Sequence, residues 1–235
     1  MSISIVPSII GETFAEVRAK FEQIDGVVPW VQIDVVDGLF ATPASWPYKH
    51  HEHVAELRTL LQQSHTTKVE MHLMIESPES EVERWLASGA SRVLFHAEAT
   101  DKMNDLLTYC ETPRIGLNAK GKLKVYPRSD VGVVLNLATP VSALDHLAHA
   151  PHVVQVMSIA RIGSYGGPFD EAVFPKIKYL RRKYPHATIS VDGGVRLENA
   201  RELVIAGATQ LVVGSAVWNS KNPRSVIKEL QRYTA

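Results

Sequence analysis

Short apolar, β-branched segments alternate along the chain with segments whose apolar residues recur at helical spacing. In the first helical segment, Phe14, Val17, Phe21 and Ile24 fall on one face. Parallel strands joined by helices produce this alternation, because strands covered on both sides are apolar throughout. The pattern therefore predicts an α/β fold with a parallel sheet.

The same criteria give the individual elements. Strands are predicted at Ile3–Ile9, Trp30–Val36, Lys68–Ile75, Arg92–Ala97, Val131–Asn136, Val153–Ser158, Thr188–Val191 and Gln210–Val213. Helices are predicted at Thr13–Ile24, Glu52–Gln63, Pro78–Ser88, Asp101–Cys110, Leu144–Ala148, Glu171–Lys183, Leu197–Ala206 and Pro223–Tyr233. About eight strand–helix units in 235 residues predict one (β/α)8 TIM barrel over residues 1–235. A doubly wound open sheet is the alternative arrangement.

One region contains one more strand candidate than an eight-stranded barrel can hold. Both Arg114–Asn118 and Val131–Asn136 have strand character, and only the fifth place in the barrel remains. We assign Val131–Asn136 to the barrel, because Leu144–Ala148 after it is predicted as the next helix. The segment Arg114–Asp130 is then an insertion.

Composition and charge narrow the classes of function. Lys plus Arg and Asp plus Glu both number 25, so no excess of positive charge predicts binding to nucleic acid or an anionic membrane. The single cysteine, Cys110, excludes an intrachain disulfide, and no apolar run approaches the length of a membrane span. The first ten residues are typical of a strand and not of a signal peptide. We expect a cytoplasmic protein.

Acidic residues at the ends of predicted strands mark the candidate site, because such barrels bind substrates at the carboxyl ends of their strands. Gln32 and Asp34 end the second strand and share one of its faces, and Asp192 follows the seventh. A carboxylate in the barrel mouth is unfavourable unless it is paired, hydrogen-bonded or bound to metal. Asp34 is therefore predicted to be functional, whereas Asp37, beside Gly38, is predicted to cap a loop.

Histidines on neighbouring strands are candidates for metal binding. His72 lies on the third strand, and a carboxylate on the adjacent strand faces the same mouth. His96 on the fourth strand is predicted to have a structural or supporting role. The histidines after the second strand, His50, His51 and His53, are expected to be solvated.

Glycine-rich loops follow the last three predicted strands. Paired glycines let backbone N–H groups approach a ligand, and a helix N-terminus favours an anion. Phosphate sites in these barrels follow the seventh and eighth strands. The loops predict a phosphate site formed by Gly163, Gly166, Gly167, Gly193, Gly194, Gly214 and Ser215.

A set of short motifs, taken in order, resembles the ribulose-phosphate 3-epimerases. The motifs are Pro7-Ser8-Ile9, Ile33–Gly38, His72-Leu73-Met74, His96–Ala99, Leu135–Pro140, Met157-Ser158, Val191–Gly194 and Gly214–Ala216. The resemblance runs from the first strand to the last. It implies a barrel of the ribulose-phosphate-binding type. It also implies an isomerase of the pentose phosphates that acts at C3 of ribulose 5-phosphate, xylulose 5-phosphate or a related phosphosugar.

The resemblance also implies roles for single residues. Asp34 and Asp192 match two acids, one of which removes the C3 proton while the other protonates the opposite face of an enediolate. Asp34, His72 and Asp192 match ligands of a divalent metal, which is zinc or else manganese, magnesium or iron. A homo-oligomer is expected. The residues that match positions near the sugar are Ser8, Met74 and Met157.

The chain departs from the family at the metal. Gln32 stands where the family has its first metal-binding histidine, and glutamine offers zinc only an amide oxygen. We therefore expect Gln32 to be a weak ligand or none, and the metal to be weakly bound or absent.

Two alternatives are weighed against epimerase activity. Orotidine-phosphate decarboxylases and hexulose-phosphate synthases place a lysine between two acids, as Asp-x-Lys-x-x-Asp. Here Asp34 and Asp37 enclose only Val35 and Val36, so the lysine is missing. A non-catalytic or differently specific phosphosugar-binding barrel would keep the glycine loops and lose the metal site, and Gln32 supports this interpretation.

Overall fold

The computed structural model describes residues 3–64, 66–117, 123–126 and 130–234. Its strands are β1 (Ser4–Ile9), β2 (Trp30–Val36), β3 (Lys68–Met74), β4 (Arg92–His96), β5 (Arg114–Leu117), β6 (Leu123–Tyr126), β7 (Asp130–Leu135), β8 (Val153–Met157), β9 (Thr188–Asp192) and β10 (Gln210–Val213). Its α-helices are α1 (Phe14–Ile24), α2 (Ala55–Gln63), α3 (Val82–Ala87), α4 (Met103–Glu111), α5 (Val173–Lys183), α6 (Leu197–Ala206), α7 (Ser215–Trp218) and α8 (Pro223–Tyr233).

Eight parallel strands close into a barrel in the order β1-β10-β9-β8-β7-β4-β3-β2. This confirms the predicted (β/α)8 fold and excludes an open sheet. The helices cover the barrel with their apolar faces, and residues such as Phe21 of α1 and Leu57 of α2 are buried. Parallel strands all end on the same side of a barrel, so the carboxyl ends of β2, β3 and β9 meet at one mouth. Within the described ranges, no helix has the length and apolar character to cross a membrane.

The predicted insertion contains a separate hairpin. β5 and β6 pair antiparallel as a two-stranded sheet. β7 pairs with β4 on one side and β8 on the other, which confirms that Val131–Asn136 supplies the fifth barrel strand. The rest of the insertion, residues 118–122 and 127–129, lies outside the described residues.

Two predicted helices differ from the structure. The prediction of a helix at Leu144–Ala148 is wrong. Val141–Leu144 forms a 3₁₀ turn instead. Leu147 N then bonds three positions back to Leu144 O, and Ala148 N donates to the side chain of Asn104. Pro78–Ser88 divides into a 3₁₀ turn at Pro78–Ser80 and the short helix α3. There the Ser80 hydroxyl donates to the Ser77 carbonyl, a local bond that competes with helix formation.

The interior of the barrel is polar beneath the mouth. Arg92 donates to Oε2 of Glu70 at 2.7 Å, and Gln210 donates to Oε1 of the same carboxylate at 2.7 Å. Gln210 Nε2 also lies 3.2 Å from Ser190 Oγ, and Ser190 donates to Gln155 Oε1 at 2.9 Å. All five residues are buried. This hydrogen-bonded chain forms the floor on which the candidate site is built.

Candidate active site

Three acid–base side chains converge at the mouth of the barrel. The register of β2 and β3 places Asp34 beside His72, and Asp192 ends β9. His72 Nδ1 lies 2.9 Å from Asp34 Oδ1 and 3.3 Å from Asp192 Oδ2. Each residue offers one ligand atom, and these atoms all lie within 4.8 Å of one another. The structure therefore brings together the predicted acids and the predicted histidine, and the group could hold a metal ion.

Gln32 contacts all three of these residues. Its Nε2 lies 2.7 Å from Asp34 Oδ1, 2.7 Å from Asp192 Oδ2 and 3.2 Å from His72 Nδ1. Its Oε1 is buried and has no hydrogen-bond partner within the described part of the chain. An amide nitrogen carries hydrogens and is not a metal ligand. The three acid–base residues thus fit a metal ion, whereas the position of Gln32 does not.

The electrostatics of the group follow from burial and from the paired carboxylates. Burial raises the pKa of Asp34, the charge of Asp192 adds to this effect, and hydrogen bonds from His72 and Gln32 oppose it. Burial disfavours the His72 cation. Hydrogen bonds and charge from the two carboxylates outweigh this cost and raise the pKa of His72 to about 9. A cationic His72 offsets part of the negative charge of the two acids.

His96 supports His72 from the adjacent strand. The Nε2 atoms of the two histidines are 2.9 Å apart, and His96 Nδ1 lies 3.2 Å from Glu98 Oε2. Burial, together with the nearby charge of His72, lowers the pKa of His96 to about 4 against the opposing influence of Glu98. A neutral His96 then donates to Glu98 and accepts from His72. This arrangement is the supporting role predicted for His96.

Every residue predicted to contact the substrate lines one cavity at the mouth, together with Asp34, His72 and Asp192. Packing explains part of the glycine content of its loops. A side chain at Gly193, where φ is +115°, would place its Cβ 2.7 Å from Ile159, and one at Gly214 would lie 2.6 Å from the ring of Tyr165. By contrast, a Cβ at Gly166 would have open space around it.

Aromatic residues and a lysine tie these loops to β1, and the sequence reasoning missed them. The Tyr165 hydroxyl accepts from Ile10 N and donates to Ser8 O, both at 2.8 Å. Trp218 donates to the same Ser8 carbonyl at 2.5 Å. Lys20 donates to Ile10 O at 2.7 Å and lies 5.0 Å from the centre of the Tyr165 ring. The available signal was the tyrosine inside the glycine-rich loop at 163–167.

Asp37 closes the loop after β2, as predicted. Its Oδ1 accepts from the backbone N–H groups of Leu39 and Phe40, at 2.8 and 2.9 Å. Its Oδ2 accepts from Glu76 N at 2.8 Å, which links the end of β2 to the end of β3. His50, His51 and His53 are exposed to solvent, as predicted.

Known proteins resemble the chain over most of its length. A sequence profile of the ribulose-phosphate 3 epimerase family matches residues 4–218. The ribulose-phosphate 3-epimerase of Schizosaccharomyces pombe is 28% identical, over 97% of this chain and 92% of its own. The ribulose-phosphate 3-epimerase of Bacillus subtilis is 29% identical, over 97% of this chain and 98% of its own.

Solved structures with a similar fold include 3-hexulose-6-phosphate synthase from Salmonella typhimurium, with a TM-score of 0.70 and 12% identity over 99% of this chain and 98% of that one. KGPDC from Streptococcus mutans has a TM-score of 0.71 and 11% identity over 100% of this chain and 98% of that one. At these identities the likeness shows the barrel fold alone.

Proposed function

Because the chain belongs to the ribulose-phosphate 3-epimerase family, we propose that it interconverts ribulose 5-phosphate and xylulose 5-phosphate, or a related pair of phosphoketoses. One observation carries this proposal beyond the family. Two buried carboxylates, Asp34 and Asp192, line the same cavity as the glycine-rich loops. The arrangement suits a small anionic sugar whose reacting carbon lies deepest in the barrel.

The proposed reaction inverts C3 through an enediolate. One carboxylate takes the C3 proton, the C–H bond pair moves to form the C2–C3 double bond, and the C2 oxygen becomes negative. The other carboxylic acid then delivers its proton to the opposite face of C3, which restores the ketone with the inverted configuration. Such chemistry needs one acid–base group on each face, and Asp34 and Asp192 supply two such groups on separate strands.

No step of this reaction is assigned to a metal ion, because Gln32 Nε2 contacts Asp34, His72 and Asp192 at once. An ion that replaced this amide would take two carboxylates and one imidazole as ligands. A set rich in oxygen favours manganese or magnesium more than a site with two histidines does.

The remaining lining residues suit the rest of the sugar. Ser8 offers a hydroxyl, while Met74 and Met157 are apolar walls that keep water from the enediolate. We place the phosphate against the loops at Gly193–Gly194 and Gly214–Ser215. The first N–H groups of a helix have no partner within it, so the start of α7 at Ser215 leaves donors for an anion.

Solvent exchange tests the proposal directly. The protein is incubated with ribulose 5-phosphate in deuterated water, and proton NMR follows the substrate and product. We expect xylulose 5-phosphate with deuterium at C3, and no exchange with an Asp34→Asn, Asp192→Asn double variant.

A panel of phosphoketoses extends the test to related substrates. Neither exchange nor product with any of them would contradict the epimerase proposal. If calorimetry then still detected phosphosugar binding, the chain would be a phosphosugar-binding barrel without this activity.

A further inference from the structure

The side chain of Gln32 lies among the atoms that would bind a metal ion. Its Nε2 lies within 3.2 Å of one ligand atom from each residue of the Asp34–His72–Asp192 group. The two carboxylate contacts, at 2.7 Å, are the shortest of the three. A single nitrogen therefore contacts all three potential ligands at once.

Hydrogen-bond chemistry fixes the orientation of this amide. An amide nitrogen donates two hydrogens, whereas an ionised carboxylate only accepts. The opposite orientation would place Oε1 against two carboxylate oxygens. It would also move Nε2 to the buried position that Oε1 now occupies. No hydrogen-bond partner for that position is found among the described residues. Both changes are unfavourable, so the nitrogen faces the acids.

A metal ion and this amide cannot occupy the site together. Zinc binds carboxylate oxygen and imidazole nitrogen at about 2.0–2.2 Å, so an ion held by all three residues would lie between them. Nε2 of Gln32 already lies there. An ion must first displace the side chain, and this breaks hydrogen bonds to two charged groups, which are stronger than neutral ones.

We propose that Gln32 is a positioning residue that takes the place of a metal ion. Its amide bridges Asp34 and Asp192, holds the two carboxylates together against their like charge, and competes with divalent ions for the site. This role and that of a weak ligand predict opposite effects on metal affinity when Gln32 is removed. Removing a ligand weakens metal binding, whereas removing a competitor strengthens it. The inference concerns ion binding and does not rest on the proposed function.

Calorimetric titration with zinc measures whether the loss of Gln32 strengthens or weakens zinc binding. The protein is first freed of metal with a chelator. We expect Gln32→Ala to bind zinc at least about tenfold more tightly than the wild type, because the ion no longer breaks hydrogen bonds to charged groups. Gln32→His should bind more tightly still, since the imidazole becomes a fourth ligand. Circular dichroism and thermal unfolding establish that each variant is folded.

Gln155→Ala is the matched control. Gln155 is also buried and also donates to Asp192 Oδ2, at 3.2 Å, and its Oε1 accepts from Ser190 on the floor of the barrel. Because Gln155 contacts one of the three ligand residues and Gln32 contacts all three, the zinc affinity of Gln155→Ala should change far less than that of Gln32→Ala. Weaker binding by Gln32→Ala than by the wild type would overturn the proposal and make Gln32 a ligand. An equal gain in Gln155→Ala would also overturn it, because general loosening would then explain both.

The wild type provides a second test that needs no variant. In ¹⁵N–¹H NMR spectra, the side-chain amide of Gln32 should exchange slowly and keep its position when one equivalent of zinc is added. Tight stoichiometric zinc binding with displacement of this signal would contradict the proposal. Because both tests measure ion binding, a lack of epimerase turnover would count against the proposed function alone.

Discussion

Gln155 donates a hydrogen bond from Nε2 to Oδ2 of Asp192 across 3.2 Å, and so joins the polar floor of the barrel to an acid at its mouth. Its Oε1 accepts from Ser190, so both ends of the amide are used. We expect Gln155→Ala to lower the free energy of unfolding by about 2 kcal/mol, since an unsatisfied buried polar group costs about 1–3 kcal/mol. Urea denaturation measures the change, and Gln62→Ala on the exposed side of α2 is the control. Equal effects of the two substitutions would contradict this role.

Replacing either acid removes one proton-transfer group and keeps the shape of the side chain. Asp34→Asn and Asp192→Asn should each lower kcat for C3 inversion by about 10²–10⁴-fold, the usual contribution of a general acid or base. Asp37→Asn is the matched control, because Asp37 follows the same strand and, within the described residues, accepts hydrogen bonds from backbone N–H groups alone. Steady-state kinetics on folded variants decide the matter. Near-native kcat in both acid variants would refute the two-acid mechanism.

A negative charge at the proposed phosphate position should weaken substrate binding. Gly194 is unsuitable for this test, because its φ is +63° and a Cβ there would lie 2.9 Å from Phe169. Ser215 begins α7 and lines the cavity. Ser215→Asp should raise KM by at least about tenfold, which corresponds to about 1.4 kcal/mol of lost binding.

The neutral variant of similar size, Ser215→Asn, separates charge from shape. Its KM should change much less than that of Ser215→Asp. Equal KM values for the two variants would contradict the proposal that the phosphate binds at this loop.

Replacing one member of the buried pair Arg92 and Glu70 should lower the free energy of unfolding strongly, whereas replacing both should lower it little. Arg92 donates to Glu70 at 2.7 Å and lies 4.2 Å from the centre of the Trp30 ring. Arg92→Met should lower the free energy of unfolding by about 3–5 kcal/mol, because it leaves a buried carboxylate without a counterion. Adding Glu70→Gln should restore most of the loss. Denaturation of the single and double variants measures this, and additive losses would show that the two side chains are not coupled.

The strands were predictable because buried parallel strands are apolar on both faces. Trp30–Val36 and Gln210–Val213 have the same bounds in the sequence prediction and in the structure. The helix prediction failed at Leu144–Ala148, because two leucines three residues apart fit a 3₁₀ turn as well as an α-helix. β6 was missed although Leu123–Tyr126 contains an alternation of apolar and polar residues, because its lysine also fits an exposed loop.

The candidate site was predictable where it depends on strand ends. Asp34, His72 and Asp192 come at or near the ends of apolar runs, and parallel strands end at one mouth. The contacts of Gln32 depend instead on closure of the barrel, which brings it to Asp192 across 160 positions of sequence. No local sequence pattern predicts a contact between residues so far apart. The sequence therefore identifies the two acids but not the amide of Gln32 that bridges them.

The carbonyl of Ser8 accepts hydrogen bonds from Tyr165 and Trp218, which are 157 and 210 residues away along the chain. A ribosome delivers the first strand long before it delivers either partner. Bringing such distant segments together costs loop-closure entropy before the contacts repay it. The mouth therefore forms only after α7 has been synthesised and has reached the end of β1. A ligand held there stabilises only molecules in which these segments have met, so binding distinguishes chains that contain Trp218 from shorter fragments during biosynthesis.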